Sequence, residues 1–445
     1  MQLQQSFQKW RRIFESSFPD LEEYSSIYKD LHKHPELPGQ EIRTAATVAA
    51  HLTGLGLEVQ TNIGGHGVVG ILRNGSGKTI MLRSELDALP VKEKTGLPYT
   101  SQVQQVDADG YTKWVMHACG HDMHMVCLLA AAELLQNIRH HWPGTLICIF
   151  QPNEERFLGA QAMIDDGLFD KIPTPDILLA QHAVPTRAGT LGLRAGRVLG
   201  HLSSQEIRLY GTGTHSSTPE SGIDPILLAS TIIPRLQTIP TRIIGCKNPC
   251  VITVGSFHAG TDASVIPEHA DFKVSIHSLD QNTQQTALHA VRRIIEAECL
   301  AAKCPRPPRI VTTAHCPPVD NDEVCTSLFK AALHDFYGED DAHNDPPIIT
   351  TPRKKKIISM DLDVTADDFA RLTLPPGRER IPCVYWNLGV TPREIFDDAE
   401  RQRKLGALPV NHSPFFAPEV GTSLRTGLEA LGLAAVVFFG EKDQG

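Results

Sequence analysis

A continuous apolar run of about 18 residues, the length a membrane-spanning helix needs, is missing from the 445 residues. The opening "MQLQQSFQKWRRIFESSFPD" lacks the unbroken apolar segment of a secretory signal and reads as an amphipathic helix. Positive charge is not in excess. Forty-two Lys and Arg against 51 Asp and Glu leave a net charge of -9, which argues against nucleic acid or an anionic membrane as partner. Ten cysteines are present but without framework spacing, and a chain this long needs no stapling. Reduced thiols in the cytoplasm are the expectation. Internal repeats and low-complexity segments are also missing. One basic cluster, "PRKKK" at 352–356, lies beside "EDDAHNDPP" and is expected to be a solvated surface loop.

Apolar residues make up 41% and charged residues 21% of the chain, as in ordinary globular proteins, and the length favours two domains. Four short apolar runs stand out: "TIML" (79–82), "TLICIF" (145–150), "DILLA" (176–180) and "CVYWNLGV" (383–390). Each ends at a polar or turn residue, as strands buried on both faces of a mostly parallel sheet do. Helical patterns alternate with them, notably "MVCLLAAAELLQNIRHH" and "VGTSLRTGLEALGLAAVVFF". The fold class is therefore α/β, with helices on both faces of a mostly parallel sheet. Residues 200–314 read differently, in the order β-α-β-β-α-β of a ferredoxin-like domain. Asp224 and Pro225 open its first helix, which Pro234 should end or kink. The expected organisation is a catalytic domain formed by 1–199 and 315–445, with 200–314 inserted as a lid or dimerisation domain.

In open α/β sheets, ligands gather beyond the carboxyl ends of the strands. "TIML" is followed by Glu85 and Asp87, "TLICIF" by Glu154 and Glu155, and "DILLA" by His182. The stretch "MHACGHDMH" (116–124) precedes a long helix. In an extended loop, Cys119 and His121 would point the same way, and both suit zinc or manganese. His117 and His124 are weaker candidates that could serve only to pack or hydrogen-bond. Two adjacent carboxylates at a strand end repel and lose hydration, which calls for a cation. One of the pair could bind metal while the other accepts a proton from metal-held water. In "LHKHPE", His32 and His34 mimic the Cys119–His121 spacing but lie far from any strand end, so a structural role is expected. "GTGTHSSTP" (211–219) lacks the Gly-Lys-Ser/Thr ending of a phosphate loop.

"LHKHPELPGQEIRT", "LRSELDALPVKEKTGLPY", "MHACGHDMH", "QPNEER", "HAVPTRAGTLGLRAG", "GTHSSTPESGIDP" and "NHSPFF" together resemble the M20 metallopeptidases. The likeness is strongest to the amidohydrolase branch, M20D, and extends from about residue 25 to 435. It implies two divalent cations, manganese or zinc with cobalt as a further candidate, held by Cys119, His121, Glu155, His182 and His412. It makes Glu154 the general base and Asp87 the residue that orients a ligand histidine. It casts His215 as the stabiliser of the tetrahedral intermediate, reaching a partner subunit's site in dimeric members. Glu85, Asn153, Arg156, Phe157 and Ser264 depart from the family's usual residues. None is an implied ligand, but Arg156 and Phe157 would reshape the pocket. The stretch 340–357 is longer than usual and has no assigned role.

The activity implied is hydrolysis of the amide bond of an N-acyl amino acid or related conjugate, a small-molecule substrate. Dipeptidase or carboxypeptidase activity, as in sister branches, is the second reading. A catalytically silent, metal-stabilised binding protein is the third. An unligated Glu154 argues against that third reading, because a structural metal site is closed by protein ligands.

Overall fold

The computed structural model describes residues 4–108, 110–338 and 356–440. The basic run and the stretch at 340–355 lie outside them, apart from Lys356. The chain divides into two compact units. One comprises Met1–Gly196, Asp320–Asp361 and Arg371–Gly445, the other Arg197–Val319 and Leu362–Ala370.

The first unit is built on an eight-stranded sheet. Its strands are β1 (Glu58–Ile63), β2 (Gly67–Asn74), β3 (Thr79–Glu85), β4 (Gly144–Gln151), β5 (Ile177–Arg187), β6 (Leu191–Leu193), β7 (Ile357–Ser359) and β8 (Cys383–Thr391). Their spatial order is β1-β2-β4-β3-β5-β8-β6-β7. The four central strands β4, β3, β5 and β8 run parallel. They contain the four apolar runs of the sequence, and those runs are buried nearly throughout, although the second half of β5 is mostly half-buried. Antiparallel pairs join β1 to β2, β2 to β4 and β8 to β6. The sheet is thus mostly parallel at its centre, with antiparallel strands added outside.

Four helices pack together in this unit: α1 (Leu21–Lys33), α2 (Ile42–Gly54), α3 (His121–Asn137) and α4 (Val420–Phe439), with α3 touching the other three. Helix α3 buries 14 of its 17 residues, and α4 is equally embedded in the main core. A helix apolar on all sides belongs inside a core. By length and composition α4 could cross a membrane, the single such helix among the described residues, but 83% of its apolar window is buried within the fold. Residues 4–17 form the amphipathic helix expected at the start, with Trp10 and Phe14 buried.

In the second unit, strands His201–Tyr210, Cys250–Ala259, His269–Ser278 and Arg309–Cys316 form one antiparallel sheet. The first lies between the third and the fourth, and the second strand is at the edge. Phe272, Val274 and Ile276 share one buried face with Ile232 and Val291 from the two helices. Asp224 accepts the N–H groups of Ile226 (2.8 Å) and Leu227 (3.2 Å), capping the helix that Pro225 begins. Pro234 does not stop that helix, which continues to Leu236. Leu362–Ala370 joins this unit through backbone bonds such as Gly200 N–H to Thr365 O (2.8 Å).

Candidate metal centre

Strand β3 ends at Glu85, and two residues later Asp87 is fully buried. Its Oδ2 accepts the backbone N–H of Glu155 at 2.9 Å. Its carbonyl oxygen, 2.9 Å from His121 Nδ1, and its Oδ1, 3.3 Å away, both face that imidazole. Nδ1 therefore carries a proton, and His121 Nε2 is left facing the carboxylates. It lies 3.9 Å from both Glu154 Oε2 and Glu155 Oε1. One aspartate thus orients a histidine and holds the turn that carries the glutamate pair.

Cys119 and His121 do converge, but not through an extended loop. Gly120 between them has φ +85°, and His121 is already the first residue of α3. A Cβ at Gly120 would come within 2.9 Å of Ala183 Cβ, so the turn requires glycine twice over. His182 is likewise not at a strand end, because β5 continues to Arg187. Its Nδ1 donates to Ala183 O (2.9 Å), and its Nε2 lies 3.6 Å from Cys119 Sγ.

His124 shows why a cluster of histidines is not by itself a metal site. Glu85, His121, His124 and His182 offer donor atoms within 4.8 Å of one another. Yet His124 Nδ1 donates to Glu85 Oε2 (2.8 Å), and its Nε2 accepts the Ala183 N–H (2.7 Å). Both ring nitrogens are committed, so His124 supports the strand beside His182. Buried Arg83 pairs with Glu85 and also donates to Gln151 Oε1 (3.0 Å). That guanidinium and His124 hold the Glu85 carboxyl well below its usual range against the opposing effect of burial.

His412 arrives from a distant loop. It has φ +70°, and its N–H donates to Ala118 O at 2.7 Å. Its Nε2 lies 3.4 Å from Glu155 Oε2. Neighbouring Asn411 ties the loop down by donating to Ala183 O (2.9 Å) and Cys119 O (3.2 Å). Among the other candidates, His117 is buried with neither ring nitrogen hydrogen-bonded, and burial lowers it to about 4. His32 is buried between Asp122 (2.6 Å) and Glu93 (3.1 Å). His34 bonds its own helix at Asp30 O. His215 belongs to the second unit, where it is exposed and its Nδ1 lies 2.8 Å from Ser217 Oγ.

Donor atoms of Cys119, His121 and Glu155 lie within 4.8 Å of one another, and His182 (3.6 Å from Cys119) and His412 (3.4 Å from Glu155) extend them into one connected cluster. Metal–ligand bonds of about 2.0–2.3 Å place two tetrahedral ligands roughly 3.3–3.7 Å apart. Buried His121 Nε2 and Glu155 Oε1 lack any hydrogen-bond partner. Burial, helped by the negative charge of Asp87, pushes the Glu155 carboxyl up to about 7. Burial and nearby Glu155 also raise the Cys119 thiol above its usual range. Burial resists charge on His121, yet Asp87, Cys119 and Glu85 draw it well above the usual histidine range. These residues fit a divalent cation: thiol, imidazole and carboxylate donors with too much negative charge for their depth.

Residues 81–352, more than half of the chain, match the family described as Peptidase family M20/M25/M40. The chain belongs to that family. Hippurate hydrolase of Campylobacter jejuni is 39% identical over 274 residues, 61% of this chain and 68% of that protein. N-acetyl-L-cysteine deacetylase of Bacillus subtilis is 33% identical over 69% of this chain and 71% of its own. Thermostable carboxypeptidase 1 of Saccharolobus solfataricus is 30% identical over 93% of this chain and 94% of its own. A dinuclear metal-binding M20 peptidase from Bacillus subtilis has a similar solved structure, with TM-score 0.66 at 24% identity over 94% of this chain and 98% of that one. The M20/M25/M40 fold thus spans both units of the chain.

Proposed function

We propose that this chain is a metallo-amidohydrolase of the M20D branch that cleaves the amide bond of an N-acyl amino acid or a related conjugate. The observation that carries the reading is the position of Glu154. Its side chain is 7% exposed, and Oε2 lies 3.9 Å from His121 Nε2, beside the donor cluster. Two divalent cations, manganese or zinc, held by Cys119, His121, Glu155, His182 and His412 would acidify a water and polarise the scissile carbonyl. Glu154 takes the water's proton and returns it to the departing amine. His215 is assigned as the donor that stabilises the oxyanion. Three relatives support the substrate class by name: the hippurate hydrolase, the N-acetyl-L-cysteine deacetylase and an IAA-amino acid hydrolase of Arabidopsis thaliana that is 28% identical. A homodimer joined through the second unit, working in the cytoplasm, completes the proposal.

Carboxypeptidase activity is the second reading, favoured by the thermostable carboxypeptidase that matches along 93% of the chain. Assaying N-acyl amino acids against dipeptides, with manganese, zinc and cobalt in turn, separates the two. For the mechanism, Glu154→Gln should keep fold and metal while turnover falls about 10²–10⁴-fold. Turnover near that of the parent would remove Glu154 from the role.

A further inference from the structure

Glu41 stands immediately before α2, where a side chain ordinarily caps the helix, yet it makes no capping bond. Glu36 does that work. Its two oxygens accept the N–H groups of Arg43 (3.0 Å) and Thr44 (2.7 Å). Glu41 is instead fully buried. Its Oε1 accepts the N–H groups of Gly39 (2.7 Å) and Asn153 (2.8 Å), and its buried Oε2 has no hydrogen-bond partner. Burial, reinforced by the negative charge of Asp87, raises this carboxyl to about 7. A carboxyl in so unfavourable a place is not explained by helix stability, since Glu36 already satisfies the helix start.

Its other bond reaches the site. Asn153 opens the turn bearing Glu154 and Glu155, with φ +54°, a left-handed conformation that asparagine tolerates. The turn closes on itself: Phe157 N–H donates to Glu154 O (2.6 Å), and Gly159 N–H to Asn153 O (3.1 Å). On the far side of Glu154, the Glu155 N–H is held by Asp87 Oδ2 (2.9 Å). Two buried carboxylates therefore hold the backbone N–H groups on either side of Glu154. Asp87 fixes the Glu155 side and Glu41 fixes the other.

We propose that Glu41 is a positioning residue for Glu154, holding the Asn153 turn so that the Glu154 carboxylate stays directed at the reacting water. This rests on the reading of Glu154 as the base. Glu41→Ala and Glu41→Gln are compared in the full chain by backbone hydrogen exchange across 152–158, kcat, KM and bound metal per chain. In Glu41→Ala, exchange should quicken and kcat should fall about 10-fold or more at unchanged KM and metal content. Glu41→Gln keeps an Oε1 that can accept both N–H groups and should recover most of the turnover. Parental exchange and kcat in Glu41→Ala, loss of metal together with kcat, or a glutamine no better than alanine would each overturn the proposal. If Glu41→Ala does not fold, Glu41→Leu fills the volume and makes the same comparison. Glu154→Gln is measured alongside. Turnover surviving there sinks the reading of the site, whereas turnover lost there but kept in Glu41→Ala sinks the role of Glu41 alone.

Discussion

His32 on α1 gives a stability prediction that can be worked through from its surroundings. The imidazole is fully buried, with Nδ1 2.6 Å from Asp122 Oδ2 and Nε2 3.1 Å from Glu93 Oε1. Burial alone would lower its pKa, but the two carboxylates overcome burial and raise it from 6.5 to about 9. A raised folded-state pKa contributes stability that is complete below 6.5 and gone above about 9. Across that window the contribution is about 3 kcal/mol, at about 1.4 kcal/mol per pKa unit. Once deprotonated, the ring still donates to one carboxylate, but its other lone pair faces the second. Asp122 and Glu93 are both held below the usual carboxylate range, so their share is present above that range and is lost in acid.

All four tryptophans, Trp10, Trp114, Trp142 and Trp386, lie in the first unit. Urea unfolding followed by tryptophan fluorescence therefore reports on the unit that contains His32. Its stability should fall by about 3 kcal/mol between pH 6.5 and 9.5 beyond any change seen in His32→Gln, which has no proton to lose there. Equal pH dependence in the two proteins would refute the argument.

Other consequences stem from the same electrostatics. Glu85→Gln keeps its shape but removes the charge facing buried Arg83 and His124, and breaking a buried ion pair costs about 3–5 kcal/mol. An unchanged urea midpoint would contradict this. In the proposed site, metal would bind the Cys119 thiolate and the Glu155 carboxylate, and burial raises both groups, the carboxyl to about 7. Bound zinc or manganese should therefore fall as pH drops from about 8 to 6, and Cys119→Ser should bind less at either pH. Equal metal content in all four samples would exclude Cys119 as a ligand.

The central strands are legible because burial on both faces erases alternation and leaves short aliphatic runs. Strand β1 is mostly exposed or half-buried, and β2 carries two glycines, so neither announces itself in that way. The glutamate pair is legible because carboxylates directly after a buried run need a reason to be there. Cys119 and His121 are found for an incomplete reason: nearness in sequence points to them, but the left-handed Gly120 brings them together. His412, Asn411 and Glu41 have no local signal. Each is tied by at least one hydrogen bond to a residue more than 100 positions away, and periodicity within one element cannot encode such a contact. Phe157 joins both kinds of information. Its place in "NEERF" departs from the resembled family, and its φ of +58° puts a bulky side chain in the region that glycine fills without strain. That conformation costs about 1–2 kcal/mol. It persists because Glu41, Asp87 and the turn's own bonds over-determine the backbone around Glu154. An unusual residue and a strained backbone thus coincide three positions from Glu154, the base of the proposed mechanism.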